Sequence, residues 1–368
     1  MRRYNEANLP AYRVPGSESL SKAARSVSQS RGNVLMNKRI IVLSILLVAV
    51  LASSGVAGAE EIFVVPGGQS IGVAVVTEGL VVIGNSDLGN IPSPARLSGL
   101  RAGDRLLSVN GESLTSAEHL LYLIDGKDSV ELLIERDGKR FSREIRPVHD
   151  PRDGISRLGV WVRDSAAGIG TLSFYDPETM KYASLGHAIT DIDTGNILSV
   201  EDGLLFDAAV VDINRSESGS PGELIGQFSL KDAPVGTIRE NNSFGVFGEL
   251  YAKPYESAYS GTVPIAEPAS VKNGKAILLT TLTDGEVHAY DCEITRCTRQ
   301  DSPAMRSMSI RITDEELIRQ TGGIAQGMSG SPILQDGKLV GVVTHVYVGD
   351  PQQGYAVYAK WMYDEMAA

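Results

Sequence analysis

Cysteine is almost absent: Cys292 and Cys297 are the only two among 368 residues. A fold stapled by several bridges is excluded, and the pair stands either as one local disulfide or as two thiols. With His288 it forms a His-x3-Cys-x4-Cys run. Three ligands on one short segment make a weak zinc signal, and neither a metal nor a cofactor is expected. Aromatic residues are scarce at 6%, and basic charge is in deficit, with 34 Lys and Arg against 45 Asp and Glu for a net charge of −11. The first 59 residues hold eight of those cations against only Glu6 and Glu18, so the remainder is more acidic still. A body of that sign lacks the basic footprint that neutralises phosphates, which argues against a nucleic-acid partner. What is plentiful is glycine, at 39 residues, within a chain that is 42% hydrophobic. Many turns and a substantial core indicate a mainly β protein, and the length indicates two domains and a tail.

One long apolar run exists. Ile40 to Ala52 (IIVLSILLVAVLA) follows Lys38-Arg39 directly, and no charge interrupts the chain until Glu60-Glu61. A basic flank, an apolar stretch and the small-residue site Ala57-Gly58-Ala59 form the pattern of a secretory signal. If retained, residues 40–59 are long enough to anchor the chain across ~30 Å of hydrocarbon, with the amino end inside. Either way the body is expected outside the cytoplasm. Residues 1–35 are polar, Ser-rich and without apolar periodicity, whereas Met36-Asn37-Lys38-Arg39 reads as an ordinary signal start. Residues 1–35 are therefore expected to be a disordered or non-native extension, and 36–59 the signal or anchor.

Residues 66–148 read as a small peptide-binding domain. A β-branched strand over 69–76 follows Gly67-Gly68, a second runs from Leu80 to Ile83, and Arg105–Val109 is closed by Asn110-Gly111. Thr115-Ser116-Ala117-Glu118 is a capping box, behind which Ala117, Leu120, Leu121 and Ile124 share one helix face. Two further strands meet at Asp137-Gly138. This order, with GLRAGDRLLSVNGESL at its centre, resembles the PDZ domain of bacterial exported proteases. The resemblance implies a groove between the Ile71–Val76 strand and the helix, where a peptide adds as a strand along Ser70, Ile71, Gly72 and Val73 and the Ser70-Ile71-Gly72 amides receive its carboxylate. The polar stretch 147–154 marks the boundary.

From 155 to 366 short β-like runs alternate with turns, as in a sandwich or barrel. In Gly327-Met328-Ser329-Gly330-Ser331-Pro332 the flanking glycines permit a turn that exposes the hydroxyl and points the Gly327 and Ser329 amides at one spot, as an oxyanion hole requires. A hairpin follows, and the arrangement resembles the nucleophile loop of trypsin-like serine proteases. A serine hydroxyl needs a base, and of five histidines His187, in Leu185-Gly186-His187-Ala188, precedes the serine in trypsin-like order. His119 and His149 belong to the first domain and the linker, His288 lies in a polar stretch, and His345 on the presumed cleft strand suits packing or substrate contacts.

SLGHAITDIDTG, GSPGELIGQF and the stretch from ITDEELIRQTGG through GMSGSPILQDGKLVGVVTHV to YAVYAKWM, together with the PDZ-like region and the export segment, resemble the stage IV sporulation protein B (SpoIVB) peptidase family. The resemblance implies a PDZ domain followed by a trypsin-like double β-barrel. It also implies a secreted endopeptidase of the space between the forespore membranes that cleaves itself. The enzyme then cuts the regulatory subunit of a membrane complex, releasing an intramembrane protease that activates a sigma factor. The PDZ domain would serve self-recognition and target binding. By resemblance the third triad member is Asp314, 15 residues before Ser329. Asp314 or Thr313 also reads as a helix cap, Asp207 is the rival acid, and a Ser–His dyad is a third option. The competing functional class is a non-catalytic PDZ adaptor docking a membrane partner, and an esterase using the same serine is a third reading.

Overall fold

The structure, a computed structural model, describes residues 61–368 apart from Glu256, Ala258 and Asp301. The expected export segment and the start at Met36 lie outside the described residues, and no described helix is long and apolar enough to cross a membrane.

Phe63–Pro66 forms β1 and Ser70–Asn85 forms β2, a 16-residue strand rich in valine and isoleucine. After α1 (Pro94–Leu97) come β3 (Arg105–Val109), α2 (Ala117–Ile124), β4 (Val130–Arg136) and β5 (Lys139–Ile145). A second 16-residue strand follows, β6 (Val160–Tyr175), then β7 (Lys181–Ser184), β8 (Val200–Asp207), β9 (Glu240–Asn242) and β10 (Gly245–Glu249). The main path of this sheet runs β9-β10-β7-β6-β2-β3-β4-β5.

The two long strands each serve two modules. Ser70–Val76 pairs with Thr171–Ser165 of β6 on one edge, and residues Ile71–Val76 pair with β8 on the other. Past a register shift between Val76 and Val81, the second half of β2 pairs with Val160–Arg163 of β6 and with the start of β3. Gly79 makes the shift feasible. Its φ is 70°, and a Cβ there would stand 2.3 Å from the Leu106 carbonyl oxygen. The PDZ-like unit is thus the second half of β2, α1, β3, α2, β4, β5 and the first half of β6, around Leu80, Leu106, Leu132, Ile134 and Leu158. Residues 66–77, expected in that unit, lie instead in the part of the sheet shared with β8 and the second half of β6. A sequence window cannot show that one strand crosses between modules.

The carboxyl-terminal part of the chain forms a closed barrel. Its strands are β11 (Gly274–Thr281), β12 (Val287–Cys297), β13 (Met308–Ile312), β14 (Pro332–Gln335), β15 (Lys338–Val346) and β16 (Gln353–Tyr358), in the order β11-β12-β13-β16-β15-β14. The β-barrel expected from sequence is present. The first half, however, is continuous with the PDZ-like unit in a 13-stranded sheet, because β2 and β6 run through both. Leu278, Ile294, Ile310, Ile333 and Val343 fill the closed barrel, each contributing about 1.5–3 kcal/mol relative to an exposed side chain. Helix α3 (Glu315–Thr321) begins at Asp314 and ends at Gly322, whose φ is 76°, and α4 (Ala359–Ala367) closes the chain. Ser116, not Thr115, caps α2, accepting from the His119 amide at 3.1 Å. Cys292 and Cys297 are free thiols on β12. Five residues of strand separate them by about 16 Å, beyond disulfide reach. Burial pushes the Cys292 thiol up to about 12, which leaves it unreactive.

Candidate active site

Ser329 sits in the loop between α3 and β14, clamped from two sides. The Thr171 amide of β6 donates to the Ser329 carbonyl at 3.0 Å, and the Thr171 hydroxyl to the Gly327 carbonyl at 2.9 Å. From β15, the Val343 carbonyl accepts the Gly330 amide at 2.9 Å. Fully buried Met328 plugs the loop into the barrel core. Gly330 has φ of 101°, and a Cβ there would lie 2.0 Å from the Thr171 carbonyl oxygen, so only glycine fits. Gly327 has φ of 94°. Among the described residues, neither the Gly327 nor the Ser329 amide donates to a protein acceptor. Two adjacent donors left open beside an alcohol are the parts an oxyanion hole needs.

His187 follows a turn in which Leu185 and Gly186 both take left-handed φ, 66° and 68°, at the end of β7. Its Nδ1 lies 2.9 Å from the Ala188 carbonyl oxygen. Assigning the Nδ1 proton to that contact leaves Nε2 free to accept another. Burial lowers the His187 pKa below its usual 6.5, the Ala188 carbonyl opposing in part, so the ring is neutral at pH 7. His345, on β15, stands with its ring centroid 5.0 Å from that of His187. Burial lowers its pKa too, helped by His187 and by Arg306.

His187, Ser329, Gly327, Thr344 and His345 line one cavity of about 790 Å³, together with Ala166–Ile169 of β6. The structure therefore brings His187 and Ser329, 142 residues apart in the chain, to one place. The Ser329 hydroxyl donates to the Thr344 carbonyl at 2.8 Å rather than to the imidazole, so it must rotate about Cα–Cβ to meet a base. Catalytic contacts commonly tighten only when substrate binds.

Among the described residues no carboxylate lines the cavity. Asp314 caps α3 instead: its oxygens accept from the Leu317 amide at 2.9 Å and the Asp291 amide at 3.3 Å. Asp207 lines a separate depression with Gln227, Phe228 and Asp232, and burial raises its pKa. The orienting contact to His187 comes from the adjacent Ala188 carbonyl, which no side-chain pattern announces. Thr171 escapes a reading of the sequence, since its hold on the serine loop joins a strand residue to a loop 158 residues away.

Ser70, Ile71, Gly72 and Val73 do not form a carboxylate loop. They lie mid-sheet, with β6 on one edge and, for Ile71–Val73, β8 on the other, and they are buried. No added strand can reach them. Helix α2 packs beside β6 rather than this part of β2, and the Ala117 amide donates to the Asp164 carboxylate at 3.1 Å.

Residues 154–363 match the SpoIVB peptidase S55 family, and residues 91–136 match the PDZ domain. The carboxy-terminal processing protease CtpB of Bacillus subtilis is 28% identical over 159 residues, covering 41% of this chain and 31% of that protein. Among solved structures, the PDZ domain of the SdrC-like protein of Listeria monocytogenes shares 23% identity at a TM-score of 0.20, over 24% of this chain and 90% of its own. The active form of the Rv3671c protease of M. tuberculosis shares 17% identity at a TM-score of 0.32, over 55% of this chain and 74% of its own. The chain spans less than a third of the length of the curated relative. The S55 match, by contrast, covers more than half of this chain and includes both His187 and Ser329. The protein accordingly belongs to the SpoIVB peptidase S55 family and also carries a match to the PDZ domain.

Proposed function

We propose that Ser329 is the nucleophile and His187 the general base that serves it. Nε2 of His187 takes the hydroxyl proton as Oγ attacks the substrate carbonyl, and the Gly327 and Ser329 amides hold the oxyanion. The proton then passes to the departing amine, and water, deprotonated by the same ring, releases the acyl group. The observation that carries this reading is the shared cavity of His187 and Ser329 beside two unengaged amides. We assign Asp314 to capping α3 and treat the site as a Ser–His pair held by the Ala188 carbonyl.

Family membership supports the finer role: an endopeptidase of sporulation that cuts itself near its amino end, then cuts a regulator within a membrane complex. In that role the PDZ domain binds targets and other copies of this chain. The basic and apolar segment at 36–59, followed by an acidic body, supports export and anchoring or cleavage there. Incubating the full chain and its Ser329→Ala variant tests the core of this. The wild type is expected to shorten itself, while the variant stays intact, with peptide turnover reduced on the order of 10⁶-fold. A variant that still cuts peptide bonds would remove Ser329 from the mechanism.

A further inference from the structure

A hairpin inserted between β8 and β9 holds the segment in front of Ser329. Its strands, Ala209–Asn214 and Glu223–Gln227, pair antiparallel, and the stretch GSPGELIGQF runs through its turn and second strand. Val210 and Leu224 join Met328 in the core of the closed barrel. The turn is stitched to both segments that flank the cavity. On one side the Ser216 amide donates to the Thr321 carbonyl at 2.7 Å, and the Ser216 hydroxyl to the Ile324 carbonyl at 2.9 Å. On the other, the Gly219 amide donates to the Val348 carbonyl at 2.8 Å and the Ser218 hydroxyl to the Gly349 carbonyl at 2.9 Å. Pro221, Ile324 and Val348 line the cavity itself.

The tightest hold falls on Gln326, immediately before Gly327. The Gln326 amide donates to the Gly222 carbonyl at 2.8 Å, and the Leu224 amide donates to the Gln326 carbonyl at 2.8 Å, a parallel bridge centred on Glu223. The Gln326 carbonyl and the Gly327 N–H belong to one trans peptide unit, which is planar and stiff, so they point in opposite directions. Holding that carbonyl toward Leu224 therefore turns the Gly327 N–H away from the hairpin. Gly327 supplies no such preference itself. Flipping the unit would change its φ of 94° to a negative value, and glycine accepts either sign. Ser216 secures the bridge from behind, since its hydroxyl accepts the Gly222 amide at 2.8 Å while donating to Ile324. At 6% exposure it is shielded from water that could replace either bond.

We propose that this hairpin is the positioning element of the oxyanion hole: the Leu224 amide locks the Gln326–Gly327 peptide unit with its N–H open to the substrate, and Ser216 is the positioning residue that keeps the bridge in place. The lock rests on the peptidase reading and adds to it the part of the chain that keeps Gly327 donating. A hole held this way is formed before substrate arrives, so no rearrangement is needed as the oxyanion develops. Its donor acts on charge that appears in the transition state, so loosening it lowers kcat and leaves KM nearly alone.

Two variants of the full chain test the lock on a fluorogenic peptide that the wild type cuts. One is Ser216→Ala. The other carries leucic acid at position 224, which replaces the Leu224 amide by an ester, deleting one N–H and keeping the side chain. Each is expected to lower kcat about ten- to a thousandfold with KM within about twofold, and to slow fluorophosphonate labelling of Ser329 in proportion. Wild-type kcat in the ester chain or in a folded Ser216→Ala variant, or a loss confined to KM, would overturn the lock and leave the peptidase standing. If Ser216→Ala does not fold, the ester chain alone decides. A wild type that neither cuts nor takes the label would overturn the lock and the peptidase reading together.

Discussion

Asp314 is the residue on which sequence and structure part most sharply. A family pattern nominates it as the acid, yet its carboxylate is engaged with two backbone amides at the start of α3. Asparagine can serve the same cap, so Asp314→Asn is expected to keep kcat near wild type, whereas Asp314→Ala should cost about 1 kcal/mol of stability in denaturant melts. A fall on the order of 10⁴ in kcat for Asp314→Asn would instead identify an orienting acid. His187 gives a second prediction. Protonating Nε2 removes the base, so activity falls as pH falls. Because burial lowers this pKa, and because His345 and Arg306 nearby add no stabilising negative charge, the acid limb of kcat/KM should lie below 6.5. A limb above 6.5 would mean a carboxylate partner raises the pKa.

At the scale of elements, the serine loop and the long strands show what a single sequence can and cannot reveal. Gly327, Gly330 and the Asp137-Gly138 and Asp336-Gly337 turns were legible because positive φ selects glycine and a few polar residues. The α3 cap and its glycine stop were legible for the same local reasons. The partners of Ser70–Val73 were not: a β-branched run predicts a strand but not which strands flank it. The same limit hid the hold of Thr171 on the serine loop. That hold makes Gly330→Ala a sharp probe, since the new methyl would collide with the Thr171 carbonyl. Moving the loop should displace an oxyanion donor and lower kcat/KM on the order of 10²–10³-fold. Unchanged kinetics would show that the loop need not be held there.

For the whole molecule, shared strands imply shared stability. β2 and β6 are structural in both the PDZ-like unit and the peptidase sheet, so the two should melt together. Leu80 is fully buried in the PDZ-like core, and Leu80→Ala is expected to cost about 2–5 kcal/mol. Calorimetry should show one transition that moves down as a whole, and two separated transitions, only one of them shifted, would contradict this coupling. The account as a whole turns on an imidazole and an alcohol, distant in the chain, working as a pair in one cavity. Intact-protein mass spectrometry after fluorophosphonate treatment tests that most directly. It predicts a single adduct on Ser329 of the wild type and almost none on a folded His187→Ala variant. Equal labelling of the two, or an unlabelled wild type, would contradict it.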